Sequence, residues 1–474
     1  MIAGVRFWFP LRTSALRRIV LVAVADCVLL AAGCTRTPTN VILITIDTLR
    51  ADHLGAYGYV RDTSPTLDAL AGEGTRFARC YAQSVTTRAS HASLFTGCYP
   101  GTHGVVSNVE EYPDRPSLMT ALHARGYTTA GFVSSVVLNR KFGVQRQLDH
   151  FDDAATTAEA NRQNMAERPA RATLGAALAY LEQRDPGRPF FTWIHLIDPH
   201  GPYAAPENPD RFVRDAHATP GRRTLPLGDT NIGFGDIPRY QNLNGNQDPD
   251  FYVARYDAEI RYADDALGEF FQRLRALGLY DRTLIAVTAD HGETLDEPNH
   301  RRYFSHGLVA YEEDAHIPLI IREPGGRRRL AGFDTSAAVL SIDVAPTLLE
   351  LVGIDVPSEF EGRSVLRGVR AADEPIFSLG SYGTVQTERI MGTQKGVLRG
   401  PWRYLINSLD GVEELYDHRG DPREERNVAA GNAEVVADLH RLLADFLARA
   451  GTKNRTSDVS PEERARLRAL GYVR

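Results

Sequence analysis

The stretch NVILITID, residues 40–47, decides the fold class of this 474-residue chain. β-Branched and apolar residues follow one another in it without alternation, and it ends in a carboxylate. A run of this kind indicates a parallel strand that is buried on both faces. Similar runs recur at residues 127–135, 189–197, 283–290 and 316–323.

Amphipathic helical patterns lie between these runs, and the clearest are residues 64–74 and 256–278. Strands that alternate with helices predict an α/β fold, in which helices flank a mostly parallel central sheet. We expect this main domain to span residues 38–372. Short strand patterns joined by turns then predict a small antiparallel subdomain with a closing helix over residues 373–474.

The first 34 residues have the pattern of a secretory signal peptide, with four arginines before a short apolar run. The run is too short for a comfortable membrane span and ends in LLAAGC. This ending favours a lipoprotein-type peptide, lipidated at Cys34, over a plain signal peptide or an uncleaved anchor. We expect the mature protein outside the cytoplasm, in the periplasm or on the outer surface, with only the lipid anchor in the membrane. There Cys80 and Cys98 could form a disulfide or remain two buried thiols.

The composition restricts the partners of the protein. Its formal net charge is −6, with 43% hydrophobic and 24% charged residues, as in a globular protein with a substantial core. Nucleic acid is therefore not an expected partner, because a broad basic face is lacking. Residues 201–250 are rich in Pro, Gly, Asn and Arg and lack periodicity, which predicts a functional lid or an insertion.

Two predicted strands end in carboxylates, at Asp47 and at Asp290, and His291 follows the second. Ligands of open α/β sheets bind beyond the carboxyl ends of the strands. Either aspartate alone could simply cap the next helix. Together, the three side chains predict a divalent-metal site at this edge of the sheet.

The motifs of the chain resemble those of the sulfatase family, within the alkaline phosphatase superfamily, from about residue 40 to residue 430. The resemblance covers most of the chain, and its blocks occur in family order. They read IDTLRADHLGAYGY, TSPTLDALAGEGTRF, SHASLFTGCYPGTHGV, IHLIDPHGPY, TADHGE, HGLVAYEEDAHIPLII and ELYDHRGDPREERNVA.

The resemblance also indicates the nucleophile. In the family it usually lies in Cys-x-Pro-Ser-Arg or Ser-x-Pro-Ser-Arg, ten residues before the Gly of a Leu-Thr-Gly sequence. Counting back from Gly97 leads to Thr87, with Ala89 and His91 in place of Pro and Arg. Threonine is not a known substrate for conversion to formylglycine, so we expect Thr87 to act as a plain alkoxide.

The resemblance implies one divalent ion held by Asp47, Asp290, His291 and the Thr87 oxygen. Thr48 stands where the family has a second aspartate ligand, and His291 stands where sulfatases usually have Asn. This borderline set of nitrogen and oxygen ligands favours Zn or Mn over Ca or Mg.

Further roles are expected for residues near these motifs. His91 and His200, with amides of the signature helix, are expected to meet charge on the substrate, and Arg88 is a second candidate for substrate binding. His306 is expected to act as general acid or base, since imidazole titrates near neutrality. Ser90 is expected to cap the signature helix, and His195 to be a core polar group.

These expectations combine into an extracytoplasmic, metal-dependent hydrolase that favours phosphoesters of small molecules, glycans or lipids. The three lysines, Lys141, Lys395 and Lys453, lie outside the active-site blocks, whereas sulfatases commonly hold sulfate with lysine. Three alternatives remain open: a sulfate-ester hydrolase, a transferase of phospho-linked headgroups, and an inactive protein that binds an anion.

Overall fold

The structure of the chain, a computed structural model, describes residues 39–155, 166–213, 223–326, 329–381, 393–408 and 411–449. The predicted signal peptide with Cys34 and the predicted closing helix lie outside these ranges, so both stay predictions. Within the described ranges, no helix is long and apolar enough to cross a membrane.

Strands and helices are numbered in chain order. The strands are β1 (Asn40–Ile46), β2 (Thr75–Tyr81), β3 (Thr128–Val133), β4 (His150–Asp152), β5 (Phe190–Leu196), β6 (Thr283–Ala289), β7 (Thr294–Glu297), β8 (Arg302–Ser305), β9 (His316–Arg322), β10 (Val339–Leu340), β11 (Ile376–Leu379), β12 (Gln394–Arg399), β13 (Trp402–Asn407) and β14 (Glu413–Asp417). The helices are α1 (Pro65–Glu73), α2 (Thr87–Thr96), α3 (Pro100–His103), α4 (Leu118–His123), α5 (Ala170–Glu182), α6 (Pro249–Ala276), α7 (Glu312–Ala315), α8 (Val344–Leu351) and α9 (Ala433–Arg449).

Eight strands form the central sheet, in the order β10-β2-β9-β6-β1-β5-β3-β4. β1 lies between β5 and β6 and is parallel to both, and all seven of its residues are buried. The predicted α/β fold with a mostly parallel sheet is confirmed. One strand differs from the prediction, because β9 is antiparallel to both β6 and β2. An unbroken apolar run shows that both faces of a strand are covered, and it carries no information about direction.

Two groups of helices pack against the sheet. Helices α2, α4 and α8 contact one another, and α6 contacts both α1 and α5. Their apolar side chains join those of β1 and β5 in one core, as Phe95, Leu267 and Trp193 do. Cys80 and Cys98 are free thiols in this packed interior, so the structure contains no disulfide between them.

The C-terminal part forms a four-stranded antiparallel sheet, β11 to β14, with α9 beside it. This confirms the predicted small antiparallel sheet. It is joined to the main sheet through the backbone, because Leu379 donates a hydrogen bond to the Gln83 carbonyl and accepts one from Val85. The described residues from Thr39 to Arg449 belong to one compact unit.

A buried histidine also ties the two parts together. The His300 ring nitrogens lie 2.7 Å from Glu313 Oε1 and 2.8 Å from the Glu424 carbonyl oxygen. The ring stacks on Tyr311 at 3.6 Å between centroids. Burial alone would lower the pKa of His300, but the Glu313 carboxylate outweighs it and raises the pKa to about 9.

This shift predicts a pH dependence of stability. In the unfolded chain the pKa of histidine is about 6.5, so His300 stabilises the fold fully below that pH and loses its contribution as pH rises through 9. Between pH 6.5 and 9.5 the free energy of unfolding should fall by about 1–3 kcal/mol more in the wild type than in His300→Gln. Urea unfolding of both proteins at the two pH values measures this difference. Equal losses in both would contradict the assignment.

Candidate active site

The site begins where two parallel strands end side by side. β1 and β6 pair in register up to Ile46 and Ala289, so the next residues, Asp47 and Asp290, leave the sheet together. The Asp47 amide donates to the Leu196 carbonyl at 2.9 Å, which fixes the end of β1. The sheet topology thus brings the two predicted carboxylates to one edge.

Four side chains converge beyond this edge. His291 Nε2 lies 3.8 Å from Asp47 Oδ1, 3.5 Å from Asp290 Oδ2 and 3.4 Å from Thr87 Oγ1. His291 Nδ1 donates to the Gly292 carbonyl at 2.9 Å, so the lone pair of Nε2 faces the cluster. All four residues are at most 1% exposed. The structure therefore brings the four predicted metal ligands together.

The geometry and charge of this cluster fit a divalent cation. Ligand atoms that lie about 2.1 Å from a tetrahedral ion are about 3.4 Å from one another, close to the separations found here. Burial and the neighbouring Asp47 raise the pKa of Asp290. Within the described chain, Asp290 Oδ2 has no hydrogen-bond partner. Two buried carboxylates with an open lone pair are a favourable environment for a cation.

Thr87 is the first residue of α2, and its neighbours hold the helix start in place. Thr86 Oγ1 donates to the Ser381 carbonyl at 2.7 Å. Ser90 Oγ donates to the Asp290 carbonyl at 2.6 Å. Ser90 does not cap the helix as expected, because α2 begins three residues earlier, at Thr87. The Ser90 hydroxyl instead donates to the backbone just after β6.

His91 lies behind Thr87 and not in front of it. Its Nδ1 is 2.8 Å from the Thr87 carbonyl oxygen, and its Nε2 is 2.9 Å from Thr45 Oγ1. Burial lowers the pKa of His91 to about 4, so the ring is neutral at pH 7. The prediction that His91 meets substrate charge does not fit this position, because both ring nitrogens are used inside the protein.

Arg88 is also directed away from the cluster. Its Nε donates to the Val137 carbonyl at 2.7 Å, and its guanidinium lies over the Phe142 ring at 5.2 Å. Its backbone amide donates to Asn108 Oδ1 at 2.9 Å, so this amide of the helix start is engaged as well. The buried guanidinium makes its contacts inside the protein. The predicted substrate-binding role for Arg88 does not fit this orientation.

The other two predicted histidines do reach the site. The His306 ring centroid is 4.7 Å from that of His291 and 5.0 Å from that of His200. Burial lowers the pKa of both His200 and His306 to about 3. Both rings are therefore neutral at pH 7, and the general acid or base role expected for His306 stays a prediction.

Two residues of the site were missed as functional candidates. His195 Nε2 lies 3.4 Å from Asp47 Oδ2, whereas His291 approaches Oδ1, and the His195 ring is fully buried. Glu293 is also fully buried, and its Oε2 is 3.0 Å from His306 Nδ1. Glu293 could have been identified from the sequence, because it ends the TADHGE block. His195 could have been identified from its place near the end of β5, the strand that pairs with β1 before Asp47.

The described part of the predicted lid lies beside His200. The Tyr240 ring is 6.5 Å from the His200 ring, and its hydroxyl donates to the Phe304 carbonyl at 2.9 Å. Gln241 Oε1 accepts a hydrogen bond from the Tyr203 amide at 3.3 Å. These contacts place Tyr240 beside His200 and Phe304, and the lid itself stays a prediction.

Comparison with known proteins adds the context for this geometry. A Delta 4,5-hexuronate-2-O-sulfatase of Bacteroides thetaiotaomicron is 25% identical over 93% of this chain and 95% of its own length. A protein solved in complex with its substrate, D-glucosamine-2-N,6-O-disulfate, has a TM-score of 0.69 at 20% identity and covers 90% of this chain and 100% of its own. A phosphonate monoester hydrolase of Agrobacterium radiobacter has a TM-score of 0.64 at 22% identity and covers 87% of this chain and 96% of its own. The fold is thus common to proteins that act on different esters.

Family models describe most of the chain. The sulfatase model matches residues 39–354, and the model for the C-terminal region of N-sulphoglucosamine sulphohydrolase matches residues 300–449. Members of the sulfatase family bind a divalent metal, and Asp47, Asp290 and His291 supply a set of donors suited to one. The chain therefore belongs to the sulfatase family of ester hydrolases, within the alkaline phosphatase superfamily.

Proposed function

We propose that this protein is an extracytoplasmic, metal-dependent ester hydrolase that uses Thr87 as its nucleophile and prefers phosphoesters to sulfate esters. One observation carries the proposal. The Thr87 hydroxyl lies 3.4 Å from His291 Nε2, inside the cluster and at the position where the family has its nucleophile. A side chain with an unmodified hydroxyl occupies the place from which the family attacks.

The preference for phosphorus follows from this hydroxyl. A formylglycine hydrate can release a bound sulfate by elimination, whereas a threonine ester must be cleaved by a second attack on the transferred group. Phosphoryl transfer proceeds readily by two in-line displacements of this kind, because it depends mostly on positioning and on charge stabilisation. Thr87 is therefore better suited to a phosphoester or a phosphonate ester than to a sulfate ester.

Asp47, Asp290, His291 and the Thr87 oxygen would hold the ion, and their mixture of oxygen and nitrogen donors supports Zn or Mn. When bound, such an ion lowers the pKa of a hydroxyl group and offsets negative charge at the reacting phosphorus.

The side chains define two chemical steps. In the first, Thr87 Oγ1 forms a bond to phosphorus while the bond from phosphorus to the leaving oxygen breaks, and the Thr87 hydroxyl proton is transferred to the leaving group, which departs as an alcohol. In the second, water attacks the phosphorus of the Thr87 ester, the bond from phosphorus to Thr87 Oγ1 breaks, and one proton of the water restores the Thr87 hydroxyl. His200 and His306, both neutral, lie on the lid side, where one of them can accept the proton of that water.

A panel of substrates tests the proposal. Purified protein loaded with Zn, Mn, Ca or Mg should hydrolyse phosphate or phosphonate esters of a common aryl alcohol at least about 10-fold faster than the aryl sulfate, and fastest with Zn or Mn. A faster rate with the sulfate would support a sulfate-ester hydrolase. Transfer to an added alcohol without hydrolysis would support a transferase, and binding of anions without turnover an inactive protein.

The location of the protein is a separate part of the proposal. It rests on the pattern of residues 1–34 and on Cys34 as the lipidated residue. Fractionation of cells that express the full chain should find it with the membrane, and Cys34→Ser should release it. A cytoplasmic wild-type protein would overturn the proposed location and leave the chemistry unaffected.

A further inference from the structure

A chain of hydrogen bonds runs through the interior to the residue that carries the proposed nucleophile. Trp193 Nε1 lies 3.0 Å from Thr45 Oγ1, Thr45 Oγ1 lies 2.9 Å from His91 Nε2, and His91 Nδ1 lies 2.8 Å from the Thr87 carbonyl oxygen. All four residues have no exposed surface. They come from β5, β1 and α2, so the chain links two central strands of the sheet to the start of the signature helix.

The direction of each hydrogen bond is fixed by the chemistry of its atoms. The indole nitrogen of Trp193 can only donate, so Thr45 Oγ1 accepts from it. The Thr87 carbonyl can only accept, so His91 Nδ1 must carry a proton. In a neutral imidazole Nε2 is then an acceptor, and the Thr45 hydroxyl donates its single proton to it. Only one tautomer of His91 satisfies all three contacts.

We propose that Thr45 is a positioning residue: its hydroxyl, oriented by Trp193, holds His91 in the Nδ1-protonated form and thereby fixes Thr87 against the metal-binding cluster. The inference rests on the proposed role of Thr87 and adds two residues, Thr45 and Trp193, which are not among the four proposed metal ligands. His91 reaches the Thr87 carbonyl from one helical turn further along α2, so a turned or displaced ring would remove the side-chain support of the first turn of that helix.

The expected consequence lies in the orientation of Thr87. Its side chain leaves the same residue whose carbonyl His91 holds, and its Oγ1 lies 3.4 Å from His291 Nε2. Displacement of a reacting group by about 1 Å can reduce a rate by about 100-fold. Loss of the Thr45 hydroxyl should therefore slow the chemical step and leave substrate binding and the metal ligands in place.

Three variants separate this role from a general loss of packing. Thr45→Val keeps the shape of the side chain and removes the hydroxyl, whereas Thr45→Ser keeps the hydroxyl. Thr192→Val is the matched control: Thr192 precedes Trp193 in β5, is equally buried, and its hydroxyl makes no hydrogen bond within the described chain. In metal-loaded full-length protein, Thr45→Val should reduce kcat about 10- to 100-fold relative to the wild type. Its KM should stay within about 3-fold of the wild-type value, and its metal content should be unchanged. Thr45→Ser should recover most of kcat, and Thr192→Val should retain it. Equal kcat values in Thr45→Val and Thr192→Val would overturn the proposal.

A spectroscopic measurement tests the same chain without turnover. In zinc-loaded protein with 15N-labelled histidine, His91 should show a protonated Nδ1 and an unprotonated Nε2, and its signals should be identified by their loss in His91→Gln. Thr45→Val should perturb these signals, whereas Thr192→Val should leave them unchanged. If Thr45→Val does not fold, Trp193→Phe takes its place in this test. A proton on Nε2 in the wild type would overturn the proposal. If the wild type hydrolyses no ester, the proposed function fails on its own, and the tautomer of His91 still decides this inference.

Discussion

Thr87→Ala should reduce kcat by at least about 10³-fold while the protein stays folded. The change removes the only hydroxyl that faces His291 Nε2 at hydrogen-bonding distance in the described chain, at 3.4 Å. It leaves the backbone contact between His91 and the Thr87 carbonyl in place. Turnover with the best phosphoester of the panel measures the loss, and thermal unfolding shows that the fold is intact.

Conservative changes at the same position sharpen this test. Thr87→Ser keeps the hydroxyl and should retain substantial activity. Thr87→Cys should lower phosphoesterase activity, because a thiolate held by a borderline metal is a poor in-line nucleophile toward phosphorus. It should bring no strong sulfatase activity, since Ala89 and His91 still differ from the Pro and Arg of the family motif.

Thr96→Ala is a matched control in the same helix. Thr96 is also a fully buried threonine of α2, and its hydroxyl donates to the Ala92 carbonyl at 2.6 Å. It should lose some stability and retain kcat. Intact-mass analysis of the wild-type enzyme quenched during turnover should find the phosphoryl-type adduct on the peptide that contains Thr87. An adduct elsewhere, or full activity in Thr87→Ala, would show that this stretch is only a helix start.

The metal-binding edge could be predicted because the information is local. The runs that form β1 and β6 each end directly in an aspartate, and neighbouring parallel strands bring their ends to the same edge. The direction of β9 could not be predicted in this way. It depends on which edge of the sheet the chain enters after α7, and a buried apolar run has the same pattern in both directions.

The roles expected for Arg88 and His91 follow from residue type alone and take no account of helix phase. Consecutive residues of an α-helix differ by about 100°, so Arg88 cannot face the same way as Thr87. His91, four residues on, shares the face of Thr87 but lies one turn further inside. Had α2 been predicted to begin at Thr87, the Arg88 side chain would have been expected away from the site, where the structure places it. The place of His91 follows instead from its contacts with Thr45 and the Thr87 carbonyl.

His195 illustrates a different limit. Every residue of β5 is buried, so the sequence pattern does not distinguish a core histidine from one that faces a site. Only the register, in which His195 lies opposite Thr45 two residues before Asp47, brings its ring to the carboxylate. Pairing between strands about 150 residues apart in sequence is a property of the tertiary fold and has no local signal.

Asp290→Asn should abolish both metal binding and turnover, with kcat reduced by about 10³-fold or more. Asparagine keeps an oxygen to accept from the His291 amide, which donates to Asp290 Oδ1 at 2.9 Å. It replaces Oδ2, which lies 3.5 Å from His291 Nε2, with an amide nitrogen that cannot bind a cation. Metal analysis after exhaustive dialysis should therefore find less than one ion per chain.

The same variant should have the opposite effect on the metal-free protein. Asp47 and burial raise the pKa of Asp290, so the wild type without metal contains an unfavourable pair of buried carboxylates. Asp290→Asn removes that pair, and its unfolding temperature in chelator should equal or exceed that of the wild type. Added Zn or Mn should raise the unfolding temperature of the wild type alone, because only a protein that binds the ion is stabilised by it.

Asp264→Asn is the control that shows whether the effects of Asp290→Asn on metal binding and stability are specific to Asp290 or would follow from replacing any buried aspartate. Asp264 is also buried, but its carboxylate accepts hydrogen bonds from the amides of Thr66 and Leu67 at the start of α1. Its replacement should lower stability with and without metal, and metal content and kcat should stay near wild type. If Asp290→Asn instead behaves like Asp264→Asn, or is active in chelator, the carboxylates at this edge bind no catalytic ion. Thr87 would then need another activator, and a candidate is the neutral ring of His306, whose centroid lies 4.7 Å from that of His291.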